Sequence, residues 1–144
     1  MASTEGTALA WTYDRLHNGA SAPSTLGTGG TPTIYYGMPA QDAPAYSVVI
    51  ASLASTDNTA FGPTRLPARV VVLAKIVARG IASPETLEAE VTWLDQRLQS
   101  PAYAPVGGAV LCANREREVT LIEWESGVPV THRGAEYALT TTPG

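Results

Sequence analysis

The chain has 144 residues, a formal net charge of −4 and one cysteine, and only 15% of it is charged against about 25% in an ordinary soluble domain. One cysteine excludes a disulfide framework, net acidity without a basic cluster argues against nucleic-acid binding as the main task, and no apolar run approaches the roughly 20 residues of a membrane span. The length predicts a single domain over residues 1–144. An N-terminus (MASTEGTALAW) with neither a basic nor a long apolar region predicts a soluble, cytoplasmic product.

In chain order, Ser3 or Thr4 caps a first helix reaching about His17, with Leu9, Tyr13 and Leu16 on one face and Trp11 toward its edge. Asn18-Gly19 ends it, and residues 20–32 (ASAPSTLGTGGTP) read as a flexible loop without periodicity. Its GTGG lacks the Lys-Ser/Thr ending of a phosphate-binding loop. A short strand over 33–36 is broken by Gly37-Met38-Pro39, and a polar, Pro-bounded link leads to a second strand over 46–54. Residues 55–67 (STDNTAFGPTRLP) read as a long hairpin loop, a length that in compact domains usually carries function or disorder.

The clearest signals follow. Over 69–79 (RVVVLAKIVAR) one alternating face holds Val70, Val72, Ala74, Ile76 and Ala78 and the other Val71, Leu73 and Val77, so this strand should be buried on both faces and pair with 46–54. Gly80 ends it. Ser83 then caps a helix with Pro84 at its first position and Glu85 in its first turn, and Leu87, Val91, Leu94 and Leu98 form one apolar stripe. Residues 101–108 (PAYAPVGG) read as a linker, and 109–113, 116–125, 128–133 and 136–142 as strands, with Ser126-Gly127 as a turn and Gly134 as an interruption. This order predicts an α+β fold: a mainly antiparallel β-sheet with two α-helices packed on one face and a C-terminal β-hairpin.

Nothing in the pattern assembles into an active site. His17 and His132 have no Cys or His at ligand spacing, Cys112 reads as a buried small hydrophobe, and Glu116, Glu118, Glu123 and Glu125 read as a solvated or ion-paired strand face rather than an acid–base pair. Trp11, Trp93 and Trp124 read as core or interface packing. The expectation is a protein without catalytic residues, cofactor or metal. Assembly is suggested instead. Charged residues are depleted from interface cores, Lys75 is the single lysine among otherwise arginine basic residues, and two helices cover only one sheet face, leaving the other for a neighbouring subunit.

The stretch IYYGMPAQDAPAYSVVI (34–50), the strand–helix unit 68–100 and the final GAVLCANREREVTLIEWESGVPVTHRGAEYAL (108–139) resemble the tail-completion, or tail-terminator, proteins of long-tailed bacteriophages. That resemblance covers most of the chain but not the 55–67 loop or the Thr-rich end. It implies a structural virion protein, a homo-oligomer in a hexameric ring that caps the head-proximal end of the tail tube, stops tube polymerisation and joins the tail to head-completion or neck proteins. It further implies assembly in the host cytoplasm, a final place in the virion tail or neck, no membrane, and a lumen through which DNA passes without specific binding. Under it, the sheet face of 46–54 and 69–79, with Arg69, makes subunit contacts. Asp57, Phe61 and Arg65 meet a neighbouring ring or the lumen, and Arg115, Arg117 and Trp124 dock on an adjacent protein. Two alternatives stay open: another neck or head-completion adaptor, and a small enzyme or ligand-binding α+β domain using the Gly loop at 26–30 and the carboxylates at 116–125.

Overall fold

The strand–turn–helix at the middle of the chain lays out the molecule. A computed structural model describes residues 4–18, 21–27, 29–40, 43–59, 65–80, 83–99, 101–103 and 109–142. Its elements are α1 (Thr4–His17), β1 (Ile34–Tyr36), β2 (Tyr46–Thr59), β3 (Arg65–Arg79), α2 (Pro84–Leu98), β4 (Pro101–Tyr103), β5 (Ala109–Glu125) and β6 (Val128–Thr142). The six strands make one sheet in the order β1-β2-β3-β6-β5-β4, with β1 parallel to β2 and the remaining neighbours antiparallel. The fold is α+β, with both helices against one face of the sheet.

That face is the core. Val48 and Ile50 of β2, Val70, Val72, Ala74, Ile76 and Ala78 of β3, and Ala135, Tyr137 and Leu139 of β6 are buried beneath the helices. The α2 stripe of Leu87, Val91, Leu94 and Leu98 is buried as expected, and the Ser83 side chain accepts from the Thr86 N–H. On α1 the packing differs from expectation: fully buried Trp11, with Ala8 and Leu16, forms the centre of the contact, while Leu9 and Tyr13 flank it. A helix of this length has several faces of similar hydrophobicity, and the largest apolar surface wins the core.

Five segments depart from the sequence reading. Residues 55–59 and 65–67, expected in a loop, extend β2 and β3, with Thr56 opposite Arg69, Asn58 opposite Leu66 and Thr59 opposite Arg65. Pro67 falls beside the register shift between Thr56 and Asn58, where the ladder does not need its missing N–H. The linker at 101–108 contributes β4, and neither Asn114-Arg115 nor Gly134 interrupts a strand; β5 carries a bulge between Arg115 and Arg117 instead. The loop at 21–33 is packed rather than loose: Ala22 and Leu26 are buried, Ala22 donates to Gly30 at 2.9 Å and Thr33 to Leu26 at 3.0 Å.

Gly134 stays in β6 because of a close approach. A Cβ there would overlap the Ala74 carbonyl oxygen and the Lys75 backbone of β3.

Candidate functional site: the open sheet face and the β5–β6 hairpin

The strand pairings separate the two faces. Helix-side residues of β3 and β6 place Arg115, Glu118, Thr120, Ile122 and Trp124 of β5 on the same side, while Lys75, Val77, His132, Gly134, Glu136, Arg117, Val119, Leu121 and Glu123 lie on the opposite, open side. The open face carries a small buried cluster of Val49, Val77 and Val130 with Tyr35 against it, and Val71 and Leu73 remain half-buried. The expectation that this face lacks a helical cover holds. Its neighbouring hairpin exposes large apolar side chains: Trp124 is 72% exposed, Ile122 61% and Leu121 47%.

Charge is organised on both sides. On the helix side, α2 is tied to the sheet by Arg133 donating to Glu88 at 2.7 Å, by Tyr137 donating to Asp95 at 2.8 Å, and by Arg115 lying 3.7 Å from Asp95, while Arg115 also lies 3.6 Å from Glu118 of its own strand. Burial, with the nearby Asp95 carboxylate, pushes the Tyr137 phenol far above its ordinary range, so it stays a donor at every working pH. On the open side, Arg117 lies 3.0 Å from Glu136, Arg69 pairs with Glu116, and His132 is 3.6 Å from Glu123. Burial and the nearby Lys75 push the His132 imidazole below its ordinary value, with Glu123 opposing, and burial lowers Lys75 as well.

The interface residues expected from sequence therefore divide. Arg69, Arg117 and the Glu116 partner of Arg69 share the open face, while Arg115 and Trp124 lie on the helix side, so the Arg115–Arg117–Trp124 set is split between two surfaces by the bulge. Asp57 lies on β2 and Arg65 on β3, at the far end of the sheet from the β5–β6 turn; their side chains and Phe61 lie outside the described residues. Trp11 and Trp93 are buried and Trp124 is exposed, which separates core from surface tryptophan.

Two features were not visible in the sequence. Glu90 sits inside the apolar stripe of α2, wholly buried, where one carboxylate oxygen accepts from Thr25 at 2.7 Å and burial pushes its carboxyl above the usual range. An open cleft of about 700 Å³ runs along α2, lined by Pro84, Glu88, Ala89, Thr92, Trp93 and Arg133. Its described lining draws neither on the Gly loop at 26–30 nor on Glu116, Glu118, Glu123 or Glu125, the groups that the ligand-binding alternative would use.

No protein-family model matches the sequence, and no curated protein matches it. The fold has solved counterparts: the chain is similar to one in a structure described as "Virion of native gene transfer agent (GTA) particle", with a TM-score of 0.67 and 14% identity, covering 99% of this chain and 100% of that one.

Proposed function

We propose that the chain is a structural protein of a phage-like virion, assembled as a ring at the head-proximal end of the tail tube, where it stops tube growth and joins tail to head. The observation that carries this reading is the full-length likeness to a chain of the gene transfer agent virion, which spans both proteins end to end and is not confined to one motif. Three features of the molecule support it. The sheet has an open face with half-buried Val71 and Leu73, the β5–β6 hairpin projects exposed Trp124 and Ile122, and the charged fraction is low for a surface that meets only water. The work is done by contact area, not by an active site. Subunit contacts use the open face of β2 and β3 with Arg69, and the hairpin meets the adjoining tube or neck protein. The net charge of −4 suits a lumen that must not hold DNA.

Disrupting the gene in its own particle tests the role. Loss of a terminator gives tubes of uncontrolled length. Tubes of normal length that fail to join heads would instead make the chain a neck adaptor, and intact, infectious or transducing particles would overturn both roles.

A further inference from the structure

Most of β5 lacks a second neighbour. β4 pairs only with its start, Pro101 with Cys112 and Tyr103 with Val110, and from Ala113 onward its paired residues among those described belong to β6 alone. Residues 114–125 are exposed apart from half-buried Val119. Natural sheets blunt so long an edge with charged side chains, proline, bulges or a cover, and here the charges and the bulge between Arg115 and Arg117 leave the run from Val119 to Ile122 without such a device. This one has neither proline nor lysine between Ala113 and Glu125.

The turn shows which backbone groups face outward. Ser126 (φ 50°) and Gly127 (φ 78°) are both left-handed, a two-residue type I′ turn closed by the pair Glu125–Val128. That closing pair is hydrogen-bonded, and alternation along the ladder directs the N–H and C=O of Arg117, Val119, Leu121 and Glu123 toward β6. Those of Glu118, Thr120, Ile122 and Trp124 face the open side.

We propose that this edge pairs antiparallel with the same edge of a second copy, about a two-fold axis through Thr120. In that register the outward-facing groups meet each other: Thr120 opposite Thr120, and Glu118 opposite Ile122. The close, non-hydrogen-bonded positions place Arg117 opposite Glu123 and Val119 opposite Leu121, each twice by symmetry. Moving the axis to Glu118 sets Arg117 against Val119 and carries Glu123 past the bulge to Cys112, where β4 is already paired. Moving it to Ile122 sets Leu121 against Glu123 and Val119 against Glu125. Of these three registers, the Thr120 axis alone matches charge with charge and apolar with apolar at the close positions, with Glu118 facing Ile122 at the hydrogen-bonded ones.

The monomer already holds the charges for it. Arg117 is 75% exposed while lying 3.0 Å from Glu136, and Glu123 is 46% exposed beside His132, so each keeps a free side for the second copy. The pairing does not rest on the ring proposed above. A ring closes through repeated head-to-tail contacts, and this contact is two-fold.

Sedimentation equilibrium of the full chain, with oxidative trapping, tests it. A Thr120→Cys variant in a Cys112→Ser background is expected to form a disulfide-linked dimer that the Cys112→Ser protein does not. Thr120→Pro removes an outward N–H without touching the β6 ladder and is expected to abolish the dimer at an unchanged melting temperature. Arg117→Glu and Glu123→Arg copies should each weaken self-association at least tenfold, and should pair with one another when mixed. A mass that none of these substitutions changes, with no trapped dimer, overturns the edge pairing. A six-subunit mass indifferent to Thr120→Pro would do so while leaving the ring intact.

Discussion

Glu90 is the residue whose environment most contradicts its chemistry. Its carboxyl is wholly buried with one oxygen held by Thr25, and its ionised form is disfavoured by burial. A carboxyl raised in the folded state contributes stability that is present at low pH and lost as the pH rises through the folded value. Glu90→Gln should therefore raise the melting temperature at pH 8 by roughly 2–6 °C, with the gain shrinking toward pH 4. His132 has the opposite sign. Its folded value is depressed, so its stability is full above the ordinary histidine range near pH 6.5 and lost as the pH falls below it; His132→Gln should flatten the acid limb of a stability-against-pH curve between pH 7 and 5. Gly134→Ala should lower stability by about 1–3 kcal/mol in denaturant titration, because the added methyl has only the Ala74–Lys75 backbone to push. None of the three was legible beforehand. Nothing in the sequence sets Glu90 apart from an exposed helix glutamate, because the loop that covers it has no pattern of its own, and Gly134 reads as a strand break because only the approach of β3 explains it.

Among the elements, α2 was legible almost to the residue, since its cap, its first-turn proline and its apolar stripe all point the same way. The strands other than β4 were legible in existence, as were the pairing of β2 with β3 and the C-terminal hairpin, but β4, the β1–β2 and β3–β6 pairings and the strand lengths were not. Polar runs such as 55–59 and 114–118 carry no alternation of apolar residues, and they are strands because a neighbour's ladder continues past the core, which is a property of the sheet rather than of the segment. The tie between α2 and the sheet makes a quantitative test. Asp95→Ala leaves the buried Tyr137 hydroxyl without its acceptor and should cost about 1–3 kcal/mol. Adding Tyr137→Phe should recover part of that loss in a double-mutant cycle, whereas full additivity would show that the hydroxyl finds other partners. Of the residues expected at an interface, Trp124 is exposed, and Arg69 and Arg117 share the open face. The division of Arg115 from Arg117 was not legible, because a bulge between them turns their side chains to opposite faces.

At the scale of the molecule, the two helices account for one face of a six-stranded sheet and leave the other, with its hairpin, turned outward. The half-buried Val71 and Leu73, the exposed Leu121, Ile122 and Trp124, and the arginine-rich basic set are the features that the proposed assembly would cover. Replacing Val71 and Leu73 with serine should leave the melting temperature within a few degrees while reducing assembly, since residues that pack mainly on a second subunit contribute little to the isolated fold. Assembly at the end of a tail tube is tested by negative-stain electron microscopy of the purified protein mixed with tail tubes from its parent particle. Closed rings, and caps on one end of the tubes, are the expected result. A protein that stays monomeric and leaves both tube ends bare would contradict it.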